Sequence, residues 1–197
     1  MSRNVRGHRT RAEILDKAWD LVSEQGADAK ISEIAKEVGV SRQAIYVHFN
    51  SRGGLLVELV KRADERFEIK EAFDAALALD GPKDRLIATL DAWLVFVPKI
   101  YPVAKDLIRL RDTDPEASMA WNDRMEDLRG WLLTLTQSLH RDGALKATWS
   151  PENASQFFWT QSSVQTWGLL RYECGWSEKE ITKRLQNSLV STLLKSE

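Results

Sequence analysis

Between Ser41 and Phe49 the chain reads Ser-Arg-Gln-Ala-Ile-Tyr-Val-His-Phe, and several of these side chains suit the major groove of DNA. Arg42 can pair two-pronged with guanine and Gln43 with adenine, while small Ala44 or Val47 can sit against a thymine methyl. Tyr46 and His48 add polar groups beside them. Each is an ordinary surface residue when taken singly; the signal is their coincidence on one short segment. Upstream, Arg3, Arg6, His8, Arg9 and Arg11 form a basic arm suited to phosphate or minor-groove contact. Backbone amides at helix starts near Ser32, Ser41 and Ser51, together with Arg52, can hold phosphates.

Those side chains need a rigid support, and the surrounding text supplies one. Ser32 is expected to cap a helix over Glu33–Val38, Gly39 to turn the chain, and Ser41 to cap a second helix over 42–49. Two short helices joined at a glycine make a helix-turn-helix. Ile34, Ala35, Val38, Val40, Ile45 and Phe49 fall at spacings that pack both against a preceding helix. That helix is expected to start at Thr10, with Glu13 completing a capping box, to bury Ile14, Leu15, Ala18, Trp19 and Val22, and to stop at Gly26. A further helix follows Asn50-Ser51 and carries Leu55, Leu56, Leu59 and Val60.

With 10 Gly and 5 Pro in 197 residues, and apolar positions recurring at three and four, the whole chain reads as all-α. Its 43% apolar content excludes a disordered or fibrous protein. The formal charge is −1, so the molecule is no general polyanion binder, but residues 1–62 hold 11 basic against 8 acidic side chains and the remainder 17 against 21. Positive charge therefore gathers where the groove-reading pattern lies. The single cysteine, Cys174, excludes an internal disulfide. No leader-like apolar segment follows the basic N-terminus, and no apolar run is expected to reach the about 18 residues that cross a membrane, Trp93–Val97 being stopped by Pro98 and Lys99. A cytoplasmic protein is expected.

The stretch from Thr10 to Val60, and above all Gly39-Val-Ser-Arg-Gln-Ala-Ile-Tyr-Val-His-Phe49, closely resembles the DNA-binding domain of the tetracycline-repressor (TetR) family. The resemblance implies an all-helical homodimer whose N-terminal helices bind a double-stranded operator and whose larger C-terminal part senses a small molecule. Ser32, Arg42, Gln43, Ala44, Tyr46 and His48 occupy positions that contact DNA in the family, and Arg52 stands where a lysine commonly touches phosphate. On this basis an arm and helix-turn-helix domain covers 1–53, and a ligand-binding and dimerisation domain covers 54–197. One departure is Gly53-Gly54, which replaces the helix-favouring residues usual there. Two glycines cost about 1.5 to 2 kcal/mol in helix propensity, so a looser junction is expected.

Beyond residue 66 no motif matches the family residue for residue. Seven of the eight tryptophans lie in this part, as do Phe96, Tyr101, Phe157, Phe158 and Tyr172, which suits an apolar or aromatic ligand as well as a plain core. Trp93, Phe96, Trp131 and Phe158, with polar Lys99, Arg109, Gln161, Gln165 and Asp91, are the candidate ligand-lining residues. Pro98 and Pro102 either kink a helix there, opening a cavity, or end one helix and start another, the second being the favoured expectation. Helices over about 151–173 and 178–195 are the candidate dimer surface, through Phe157, Val164, Trp167, Ile181, Leu185, Leu189 and Leu193. The apolar stripe alone fits an intramolecular bundle equally well; the resemblance favours the dimer.

An enzyme is the first rival, but His8, His48 and His140 are scattered. No metal-spaced Cys or His cluster, phosphate loop or nucleophile elbow appears, so no cofactor or metal is expected. A helical protein-interaction adaptor is the second; it leaves the Ser41–His48 face and the basic arm without a purpose.

Overall fold

The structure is a computed structural model; it describes residues 2–25 and 30–195, with side chains from Arg11 onward apart from Ser23 and Gln25. In chain order the helices are α1 Ser2–Gln25, α2 Ile31–Val38, α3 Arg42–Phe49, α4 Arg52–Arg66, α5 Ile69–Leu77, α6 Pro82–Leu110, α7 Pro115–Arg141, α8 Pro151–Ser162, α9 Val164–Gly168 and α10 Glu178–Leu193, with a π-helical turn over Leu169–Glu173. The fold is all-α, and among the described residues the one β feature is an isolated bridge between Leu145 and Leu194.

Two compact units emerge, the first comprising the chain up to Arg66 with Lys99–Asn122, the second Phe67–Pro98 with Asp123 onward. In the first, α1 packs on α2 and α4, and α3 on α2 and α4. The expected α1 stripe, Ile14, Leu15, Ala18, Trp19 and Val22, is buried. The helix nevertheless begins at Ser2, so Thr10 lies inside it and does not cap it. Between the two, Gly7 is the one strong helix breaker by propensity, and its cost of about 1 kcal/mol does not stop a long helix. Gly26 lies outside the described residues, as do the side chains of Arg3, Arg6, His8 and Arg9.

Helix α2 also starts earlier than expected. Lys30, not Ser32, is the N-cap, and its amide donates to Glu33 Oε2 at 3.1 Å. Burial of Ile31 draws it into the first turn and leaves Ser32 exposed inside the helix. Gly39 at φ +75° closes α2, a conformation a side chain resists. Ser41 then caps α3 as expected, its Oγ accepting from the Ala44 amide at 3.1 Å.

Helix α6 runs unbroken through Pro98 and Pro102, contrary to the expected stop and restart. Each proline removes one helical hydrogen bond. Leu94, Val97, Ile100, Val103, Ala104 and Leu107 are buried on both sides of the lesion and carry the helix across it. Among the described residues α6 alone is long and apolar enough to cross a membrane, and half of its most apolar stretch is buried within the protein.

The second unit corrects another boundary. Ser150 and Pro151 start α8, with Ser150 Oγ accepting from the Asn153 amide at 3.2 Å. The helix stops at Ser162 instead of reaching Glu173. Ser163 is extended, and its hydroxyl accepts from the Thr166 amide at 3.0 Å to start α9. The Trp93 indole donates to the Ser162 carbonyl at 2.7 Å, satisfying an acceptor the break would orphan. Ser177 caps α10 through the Glu180 amide at 3.2 Å.

On α7, a Cβ added at exposed Gly130 meets nothing within 4 Å. Gly130→Ala should therefore raise stability by about 0.5 to 1 kcal/mol, read as a higher denaturation midpoint at constant m value; a lower midpoint would contradict the free space.

Candidate nucleic-acid interface

Helix α3 is gripped on one side and open on the other. Ile45 and Phe49, four residues apart, are 1% and 3% exposed, and each such anchor is worth about 1.5 to 3 kcal/mol. The Arg11 guanidinium lies over the Phe49 ring, 5.2 Å from its centroid, and pairs with Glu58 of α4. One arginine thereby ties α1 to α3 and α4. The opposite side presents Arg42 and Gln43, both exposed, with Tyr46 at 39% and Val47 at 74% exposure. Ala44 and His48 are half-buried at its edges, and Ser32 and Ser41 are exposed. Among the described residues Val47 is the most exposed of the large apolar side chains, an unusual place for one on a helix that must stay in water unless something else covers it.

Burial of the Glu58 carboxyl works to raise its pKa, but the hydrogen bond and charge of Arg11, joined by Lys61, outweigh it and hold the group below its ordinary value. A lowered folded-state pKa means the stabilisation is present above the unfolded value and is lost as pH falls through the folded one. Both partners are partly solvated, so Glu58→Gln should cost under about 1 kcal/mol near neutrality, with the difference from the parent closing on acidification. A pH-independent difference would assign the effect to packing.

The corner between α3 and α4 is where the expectations from sequence fall short. Asn50 takes φ +59°, Ser51 Oγ accepts from the Gly54 amide at 2.9 Å, and that hydroxyl donates to Glu116 Oε2 at 2.5 Å. A Cβ built on Gly53 would fall 2.4 Å from Asp114 Oδ2, and one on Gly54 only 2.1 Å from the Phe49 carbonyl oxygen. Asp114 is not free to yield, because its Oδ1 accepts from the amides of Glu116 and Ala117 at 3.0 and 3.2 Å and so caps α7. The glycine pair thus gives close approach in a pinned corner, and the looser junction expected from propensity is not found.

Arg52, the first residue of α4, donates through Nε at 3.0 Å and Nη2 at 2.6 Å to Asp106 Oδ2. Asp106 Oδ1 accepts from Arg109 Nη2 at 2.6 Å and Nε at 3.2 Å. The Asp106 side chain is fully buried, against 25% exposure for Arg52 and 64% for Arg109. Removing one partner of a buried pair costs about 3 to 5 kcal/mol when both are buried; solvent at both arginines reduces that here. Asp106 was absent from the expected site. The available signal was an acid set among Val103, Ala104 and Leu107 on the buried face of an amphipathic helix.

The other candidates are placed apart. Trp93, Phe96 and Phe158 are buried in the second unit, and Trp131, half-buried, stacks on Phe73 at 4.9 Å. Gln161 is half-buried, Gln165 exposed, and Asp91 accepts from Gln186 at 2.7 Å. Lys99 and Arg109 are exposed and belong to the first unit. Of the candidate dimer residues, Val164, Trp167, Ile181, Leu185, Leu189 and Leu193 are buried within the single chain and Phe157 is half-buried. The exposed apolar side chains of that region are Leu169 and Tyr172, on the π-helical turn. Among the described residues no group of three or more His, Cys, Asp or Glu could hold a metal.

Residues 14–59, from mid-α1 to α4, match the bacterial regulatory proteins of the tetR family. The HTH-type transcriptional repressor BepR of Brucella suis biovar 1 is 29% identical over 158 residues, 75% of this chain and 74% of that protein. Residues 14–59 thus carry the DNA-binding region of the tetR family. Solved structures extend the likeness of fold over more than nine-tenths of the chain. A transcriptional regulator of Saccharomonospora viridis in complex with choline superposes with TM-score 0.78 at 18% identity, over 96% of this chain and 100% of that one. The fatty acid degradation regulator FadR of Bacillus halodurans gives 0.73 at 19% identity, over 92% and 94%. The chain is thus a transcriptional regulator whose helix-turn-helix is α2 and α3.

Proposed function

We propose that this TetR-family regulator is a cytoplasmic homodimeric repressor that leaves a palindromic operator when an apolar or aromatic small molecule binds its C-terminal part. The observation that carries it is α3, which offers Arg42, Gln43, Tyr46 and Val47 to solvent from a helix whose other side is locked by Ile45 and Phe49. Residues 1–53 would read the operator, with Arg6 and Arg9 on flanking phosphates; residues 54–197 would bind effector and partner. A two-fold dimer sets two such helices about 34 to 36 Å apart, one turn of DNA. Leu169 and Tyr172 give a second copy apolar surface to cover. The name of BepR supports repression, and the choline held by the Saccharomonospora viridis regulator supports a small organic effector. Buried Trp93, Phe96 and Phe158 favour an apolar one here. Relief needs little energy: an effector preferring the non-binding form by about 1.4 kcal/mol lowers occupancy tenfold.

Selection from a random DNA pool at about 0.15 M salt tests this directly. A recovered palindrome is the expected result. Weak binding that salt erases, with no sequence recovered, would favour the adaptor. Arg6→Ala should weaken binding to all duplexes and reduce the salt slope by about 1.8, one phosphate for each protomer; a change confined to the operator would place Arg6 on bases.

A further inference from the structure

We propose that Asp106 withholds Arg52 from DNA, so that this arginine works as a strut between α4 and α6 and not as a phosphate contact. The proposal rests on α3 being the DNA-reading helix and concerns what the residue just behind it does. Arg52 stands where phosphate contact is expected, and a guanidinium takes a carboxylate or a phosphate with the same planar fork of donors. In the structure two nitrogens of that fork are committed to one oxygen of Asp106, at 3.0 and 2.6 Å. That carboxylate is fully buried, while Arg52 is only a quarter exposed. A buried carboxylate cannot follow the arginine outward, so a phosphate would have to break the pair to claim it. Arg109 on the other oxygen balances the carboxylate charge without competing for the same atom.

The neighbouring contacts hold the strut in place. Ser51 donates to Glu116, and Gly53 lies against Asp114 more closely than any side chain would allow. The start of α4 is therefore fixed at three successive residues to the Lys99–Asn122 part of the same compact unit. Rigid placement of this helix start sets where α3 presents its bases-reading face, which is a positioning role and needs no contact with DNA.

The test is affinity against salt for the intact chain on its selected operator and on a scrambled duplex of equal length. Arg52→Gln should leave the scrambled-duplex salt slope unchanged, because no phosphate is lost. Asp106→Asn should steepen that slope by about 1.8, one phosphate gained by the released arginine of each protomer of the dimer, and lower the operator-to-scrambled ratio. Asp106→Asn in the Arg52→Gln background should do nothing to the slope, and Asp106→Glu should restore the parent value. A slope that falls by about 1.8 in Arg52→Gln alone overturns the proposal, as does a folded Asp106→Asn protein with the parent slope. Should Asp106→Asn fail to fold, the Arg52→Gln result decides by itself. Parent protein that binds neither duplex would instead overturn the DNA-binding function on which the proposal rests.

Discussion

Gly54→Ala is expected to be the most damaging single methyl in the first compact unit. Its Cβ would stand 2.1 Å from the Phe49 carbonyl oxygen and 3.2 Å from the carbonyl carbon, whereas ordinary contacts need about a further ångström. The obstacle is backbone, so no side-chain rotation relieves it. Nor can the corner open freely. The same Phe49 oxygen accepts from the Ser51 amide at 2.6 Å, Asn50 already holds φ +59°, and Ser51 and Arg52 are tied to Glu116 and Asp106. Overpacking commonly costs about 1 to 3 kcal/mol, and this site should lie at or beyond the upper end, a fall in Tm of about 6 to 12 °C for a chain of this size. Operator binding should fall with it, since α3 ends at the displaced carbonyl. Alanine raises helix propensity at this position, so a simple propensity view gives the opposite sign. An unchanged or higher Tm would show that the corner has room and would remove close approach as the reason for the glycine.

That reversal marks the limit of what sequence alone carries. Local chemistry was legible: Ser41 caps α3 because a hydroxyl satisfies an amide three residues on, and Gly39 takes the left-handed turn that favours glycine. The α1 stripe and the Ile45–Phe49 anchor were legible because burial follows helical period. What could not be read depends on partners distant in the chain. Ile31 enters α2 because the fold buries it, which moves the cap from Ser32 to Lys30. Pro98 stays inside α6 because packing on both sides outweighs one lost hydrogen bond. Ser163 breaks the α8 region beside a carbonyl that Trp93, 69 residues away, satisfies. The α10 stripe is legible as apolar, yet period alone does not say whether its own chain or a second copy covers it; here the chain itself buries Ile181, Leu185, Leu189 and Leu193. Asp106 and Arg52, 54 residues apart, belong to the same class.

Gln43→Ala and Tyr46→Ala should each abolish sequence preference while leaving the fold intact. Both side chains are exposed on α3, and exposed substitutions away from caps and packing usually change stability by less than about 0.5 kcal/mol. A well-made base contact discriminates by about 1 to 3 kcal/mol, or roughly fivefold to 150-fold in affinity. A homodimer makes it twice, so the operator preference lost is the square of that factor. Neither substitution removes a Lys or Arg side chain, so the salt slope on scrambled DNA should stay at the parent value. This combination, specific affinity lost and slope kept, separates a base contact from a phosphate contact. Val47 gives the complementary control, because its large exposed apolar surface suits a thymine methyl. Val47→Thr keeps the shape and removes the apolar character. Uracil in place of thymine at the facing base should then cost the parent protein affinity and cost the variant little. If uracil is equally harmful to both at every operator position, Val47 reads no methyl, and α3 must lie in the groove at a different rotation from the one its exposed side chains define.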